Sequence, residues 1–64
     1  MDHATAVAIL DLWVAITIGW YDYEGDKVVL RTTEEDTYYD SEAEAAEACI
    51  QTVYTWIGRN YDVF

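Results

Sequence analysis

Cysteine and histidine each occur once in the 64-residue chain, and lysine and arginine together only three times. The single cysteine, Cys49, excludes an intrachain disulfide framework, and with His3 alone beside it there is no usual structural zinc site. Stability must come from packing, with a second copy of the chain as a possible contributor. A signal peptide would need basic residues ahead of the first apolar stretch, where Asp2 and His3 stand instead. That stretch, residues 4–18, carries Asp11 in its middle and falls short of the roughly 20 apolar residues of a membrane span. A glycine-rich phosphate loop, HExxH and GxSxG are all missing. These absences predict a cytoplasmic protein with no cofactor, and the initiating Met1 predicts a complete small reading frame. A domain this small buries only about 60% of the surface its unfolded chain exposes, so a deep substrate pocket, and with it an enzyme, is not expected.

What the chain has in excess is acid: 13 Asp plus Glu, for a formal net charge of -10. A folded monomer of this mass exposes about 4,200 Å² by the area scaling law, or roughly one net negative charge per 420 Å². Such a surface repels nucleic acid and anionic lipid and speeds encounter with basic surfaces. The implied partner is therefore a basic protein, with no direct binding to nucleic acid or membrane. The charge is also unevenly placed: residues 1–20 sum to -2, residues 48–64 to 0, and residues 21–47, with ten acids against Lys27 and Arg31, to -8. Tyr21, Tyr23, Val28, Val29, Leu30, Tyr38 and Tyr39 are interleaved with those acids, which a disordered acidic tail would lack.

The patterning predicts one domain, residues 1–64, of the α+β class. A first helix is expected over about residues 3–18, stopped by Gly19, with Ala6, Ile9, Trp13 and Ile16 inward and a small-residue stripe of Ala4, Ala8 and Ala15 with Asp11 opposite. The alternative for residues 12–18 is a strand, because that end is β-branched and alternates. Residues 20–31 read as a hairpin around Gly25-Asp26, pairing Tyr23 with Val28 and Trp20 with Arg31. Tyr21, Tyr23, Val28 and Leu30 would then face the helices. Trp20, Asp22, Glu24, Lys27, Val29 and Arg31 would face outward, with Lys27 beside Glu24 and Arg31 over Trp20. Residues 33–36 read as a loop and residues 37–40 as an edge strand that sets Tyr39 with Leu30 and Tyr38 beside Arg31. Ser41 with Glu44 forms a capping box for a second helix from Glu42 to Ile57, ended by Gly58. Its inward line would be Ala45, Ala46, Cys49, Ile50, Val53, Trp56 and Ile57, and its outward line Glu44, Glu47, Gln51 and Tyr54. Residues 59–64 would form a short tail. The resulting architecture is helix, three-stranded antiparallel sheet, helix (αβββα), with both helices on one sheet face and the other face open, acidic and aromatic.

Several single residues have bland readings that outweigh catalytic ones. Cys49 lies on an apolar helix line and reads as a packing thiol, and His3 as a solvated or capping residue. Asp22, Glu24 and Asp26 alternate as calcium-loop ligands do, but Lys27 holds the glycine position and Thr33 the twelfth position. The informative set is Asp22, Glu24, Asp26, Glu34, Glu35, Asp36, Asp40, Glu42, Glu44 and Glu47. It is either a solubilising surface or, since solubility needs a charge of only about 2 to 8, an array that imitates DNA phosphates. Trp20 and Tyr38, placed outward beside acids, suit an interface or a shield for the open sheet. The candidate partner-binding residues are thus Trp20, Asp22, Glu24, Asp26, Glu34, Glu35, Asp36, Tyr38, Asp40, Glu44 and Glu47.

In size, charge, hairpin (WYDYEGDKVVLR) and capping-box segment (SEAEAAEA), the whole chain resembles the small acidic phage-encoded anti-CRISPR proteins of the DNA-mimic type. Several of these block type I surveillance complexes by imitating DNA. Phage inhibitors of restriction enzymes look similar by the same criteria. Such proteins share no motif, so the resemblance carries over no residue by position. It implies a non-enzymatic inhibitor, acting in the host bacterial cytoplasm on the nucleic-acid-binding site of a defence complex, a CRISPR surveillance complex above all. The alternative is a small acidic homodimeric structural or adaptor protein, whose helix stripe and open sheet make contacts while the acids serve solubility.

Overall fold

A computed structural model describes residues 1–61, with side chains through Arg59. The order is α1 (His3–Ile16), β1 (Trp20–Glu24), β2 (Lys27–Arg31), β3 (Asp36–Tyr39) and α2 (Glu42–Tyr61), an α+β fold with an antiparallel sheet ordered β1-β2-β3. Both helices pack on one face of the sheet. Their shared core joins Ala6, Leu10 and Trp13 of α1, Val28 and Leu30 of β2, and Ala45, Ala46, Cys49 and Val53 of α2. Three of the four α2 contributors are no larger than cysteine, which lets α1 approach closely. No helix among the described residues is long and apolar enough to cross a membrane.

Helix α1 begins where the Asp2 carboxylate accepts a hydrogen bond from the Thr5 amide at 2.8 Å, a cap the sequence pattern had not singled out. The helix ends two residues before the expected Ile18, and no strand forms over residues 12–18. Thr17 is responsible: its amide and its hydroxyl both donate to the Trp13 carbonyl, at 3.0 and 2.7 Å, while its own backbone is extended. Gly19 is not in the left-handed conformation of a helix stop. Its need is steric, because a Cβ there would lie 2.4 Å from the Trp13 ring and 2.9 Å from the Arg31 carbonyl. The buried line is Ala6, Leu10 and Trp13, with Ile9 and Ile16 only partly covered, and Ala4, Ala8, Asp11 and Ala15 are exposed as the stripe predicts.

The β1–β2 register is the expected one, from Glu24 opposite Lys27 to Trp20 opposite Arg31. Gly25 has φ 63° and Asp26 has negative φ, as a two-residue turn beginning with glycine requires. Tyr23 departs from its expected burial: 53% exposed near the turn, it overhangs the helix side and donates its hydroxyl to Glu42 at 3.2 Å.

Strand β3 starts one residue earlier than expected, so Tyr38 pairs with Val29 and not with Arg31, and Tyr39 with Val28 and not with Leu30. The cause is Thr32, whose amide donates to the Glu35 carbonyl and closes the loop one residue sooner. A slip of two residues in pairing preserves every side chain's face, so the predicted inside and outside survive it.

At α2, the Glu44 amide donates to the Ser41 hydroxyl at 3.2 Å, and the Glu44 carboxylate accepts from the Asp40 amide, one residue before the cap. The helix runs through Gly58, around which there is open space, to Tyr61. A helical glycine costs about 1 kcal/mol relative to alanine, which is too little to end a helix by itself. The tail expected over residues 59–64 is therefore helical at its start, and residues 62–64 lie outside the described residues. Ile57, expected inward, is 38% exposed, while Ile50 and Trp56 are half-buried.

Candidate partner-binding surface

Alternation along the strands puts Trp20, Asp22 and Glu24 of β1, Lys27, Val29 and Arg31 of β2, and Asp36 and Tyr38 of β3 on the face away from the helices. Arg31 organises this face. Its guanidinium donates to Asp36 at 2.6 Å and to Glu24 at 2.9 Å, and lies 3.9 Å from Asp22. The Tyr38 hydroxyl adds a 3.3 Å bond to the same Glu24 oxygen. These contacts, the Glu24 hydrogen bond first, hold the Arg31 pKa above its ordinary value. Arg31 is thus spent on three carboxylates and not on Trp20. Lys27 pairs with Asp40 and not with Glu24, which raises its pKa through that bond and the Asp40 charge.

Beneath this polar cluster Val29 is 0% exposed, although it is not part of the helix-side core. Its direct cross-strand neighbours are Asp22 and Tyr38, and the open face therefore has a small roofed centre of its own. Trp20 and Tyr38 border it, each about half exposed. The outward placement of Val29 was legible in the alternation. Its complete burial was not, because that depends on side chains from all three strands closing over it.

The structure brings together five of the candidate residues, Trp20, Asp22, Glu24, Asp36 and Tyr38, on the open face. Asp26 and Asp40 lie at the turn end of the sheet, where the start of α2 adds Glu42 and Glu44, the latter engaged in the cap. Glu34 and Glu35 occupy the β2–β3 loop at the opposite end, about 17 Å away along a five-residue strand. Glu47 sits on the exposed side of α2 and does not share the open sheet face. The strands of that face carry three acids against Lys27 and Arg31, so most of the excess charge is at the two ends. Among the described residues, no ion pair engages Asp26, Glu34, Glu35, Glu44 or Glu47.

The Glu34 and Glu35 carboxylates project from a braced backbone. The Thr32 hydroxyl accepts both of their amides, at 3.2 and 3.1 Å, and lies 3.1 Å from the Glu35 carbonyl. On the helix side, the Tyr21 hydroxyl donates to Asp11 at 2.6 Å, and this bond, followed by burial, pushes the Tyr21 pKa up to about 12. His3 lies 3.6 Å from Glu42, which places the two helix N-termini at the same end of the sheet.

Burial pushes the Cys49 thiol up to about 11, so it stays protonated at neutral pH, a poor nucleophile. The described residues contain no group of three His, Cys, Asp or Glu spaced to hold a metal ion, and Arg31 occupies the space between Asp22, Glu24 and Asp36 where a cation would sit. Compared with protein-family models, curated proteins and solved structures, the chain matches none.

Proposed function

We propose that this protein is a non-enzymatic inhibitor that docks its open sheet face and the acidic loop of residues 32–35 onto the nucleic-acid-binding surface of a basic protein or complex, in competition with the nucleic acid. The observation that carries this reading is the bracing of exposed acids. Arg31 fixes Asp22, Glu24 and Asp36, and Thr32 fixes the backbone under Glu34 and Glu35. An array already ordered before binding avoids the cost of about 0.5–1.5 kcal/mol per side chain immobilised at an interface. The two acidic ends, about 17 Å apart, span about five phosphate steps of one DNA strand at roughly 3.4 Å each. Trp20 and Tyr38 supply the aromatic anchors, and Asp26, Asp40 and Glu44 extend the contact at the turn end. The resemblance to DNA-mimic anti-CRISPR proteins makes a type I surveillance complex in the host bacterial cytoplasm the first target to test.

The test is a gel-shift titration of that complex and its target DNA with wild type and with Glu34→Lys/Glu35→Lys. Wild type is expected to displace DNA, and the variant to need at least about tenfold more protein, since close interfacial charge pairs couple by 1.5 kcal/mol or more. Binding should weaken as salt rises. A ternary complex of target, DNA and inhibitor would defeat direct competition and favour the adaptor reading.

A further inference from the structure

On the outer side of the helix layer, away from the sheet, an open groove of about 510 Å³ runs between α1 and α2. Ala8, Ile9 and Leu12 line it from α1 and Val53, Tyr54 and Ile57 from α2, and none of its lining residues is charged. Tyr54 is 62% exposed along this groove, and Ala4 and Ala8 leave room for a backbone to approach closely. From this geometry we infer that the groove is the contact surface of a two-fold homodimer, with the helix layers of two copies face to face.

Charge selects the occupant. A chain with net charge -10 can meet a copy of itself only where it carries no charge, and the groove is such a place: seven of the acids, Asp22 to Asp40, lie on the sheet and its loops, and Glu42, Glu44 and Glu47 lie in the first turns of α2, before the groove-lining Val53. A basic partner finds no carboxylate in the groove to pair with, so nothing there favours it over an uncharged face. With the grooves together, the two acidic sheets point outward, separated by three layer spacings of about 10 Å each, or roughly 30 Å. That is nearly four times the Debye length of about 8 Å at physiological salt, so their repulsion is largely screened.

Area sets the class of interface. Helices of 14 and 20 residues are about 21 and 30 Å long and about 10 Å wide, so the face outlines roughly 500 Å² per copy. A standard interface takes about 800 Å² of accessible surface per partner, and a ridged face exposes more than its outline. The dimer is therefore at the small end of specific interfaces. It would present two acidic faces on opposite sides.

Sedimentation equilibrium from about 1 μM to about 1 mM protein at about 0.15 M salt tests this without any target, so it stands or falls apart from the inhibitor reading. Wild type should pass from monomer to dimer, and the association should tighten with salt, opposite in sign to binding of a basic target. Ala8→Glu, at an exposed helical position, should weaken the dimer at least about tenfold by burying an unpaired charge, with an unchanged circular dichroism spectrum. Ile57→Lys should do the same from the other helix, and it decides the matter if Ala8→Glu does not fold. Glu34→Lys/Glu35→Lys should leave the dimer intact. A monomer throughout the range, a dimer indifferent to both groove substitutions, or wild-type monomer that co-sediments with neutral phosphatidylcholine vesicles through this face would overturn the inference.

Discussion

On the helix-covered face of the sheet, Val28 and Leu30 join two helices in an apolar core, whereas on the other face Val29 lies under a cluster of carboxylates, one guanidinium and a tyrosine hydroxyl. Neighbouring residues of one five-residue strand are thus buried by different means. The helix side excludes water with hydrocarbon and gains with area, about 25 cal/mol per Å² of apolar surface. The open side covers a single valine with charged groups that keep their outer edges in water, so it adds less stability but presents a fixed pattern of charge. Val28 and Leu30 thus serve the helix-side core, while Asp22, Glu24 and Asp36 are held around Arg31 on the other face.

Substitutions on the two sides should separate these roles. The largest loss is expected from Leu10→Ala in the helix-side core, about 2–5 kcal/mol, as fully buried leucines cost elsewhere. Because a domain of this size holds about 3–10 kcal/mol in all, the variant should be substantially unfolded at 37 °C by circular dichroism. Gly19→Ala should cost about 1–3 kcal/mol by forcing a methyl against the Trp13 ring and the Arg31 carbonyl, read as a fall in the urea midpoint with unchanged slope. Val29→Ala should cost about 1–2 kcal/mol, and a loss as large as that of Leu10→Ala would erase the distinction between the faces.

Smaller effects sharpen the electrostatic side. Raising salt from low to moderate strength should lift the melting temperature by on the order of a few degrees, because screening relieves repulsion among the acids that have no ion-pair partner. An unchanged melting temperature would mean that the Arg31 and Lys27 pairs already offset that repulsion. The smallest effect concerns alkaline pH. The folded-state pKa of Tyr21 is raised from an ordinary 10.0 to about 12, so its contribution is complete below pH 10 and is lost as pH climbs toward 12. Melting temperature followed across that window should fall less steeply in Tyr21→Phe than in wild type.

The order of elements, the hairpin register, the capping box and the face assignment of nearly every strand residue follow from the sequence alone, because they rest on local rules: alternation with period two, a glycine-led turn, and a serine three residues before a glutamate. The end of α1, the start of β3 and the end of α2 were misplaced by one to four residues. Each depends on a hydrogen bond or an open space that local propensity does not report: Thr17 to the Trp13 carbonyl, Thr32 to the Glu35 carbonyl, and the unobstructed Gly58.

The acids themselves show the division most clearly. Composition by itself determined that the chain is strongly acidic, that the charge belongs to residues 21–47, and that it rides on folded structure, since charge and apolar periodicity are additive properties of the residues. Which acids are tied to Arg31 and which stand without an ion pair at the two ends of the sheet were decided only by tertiary structure, whereas the outward place of Glu47 on the second helix was legible in the sequence. One guanidinium can be reached by carboxylates from two strands on either side of its own, and their competition for it is settled by distances of a few ångströms that no spacing along the chain encodes.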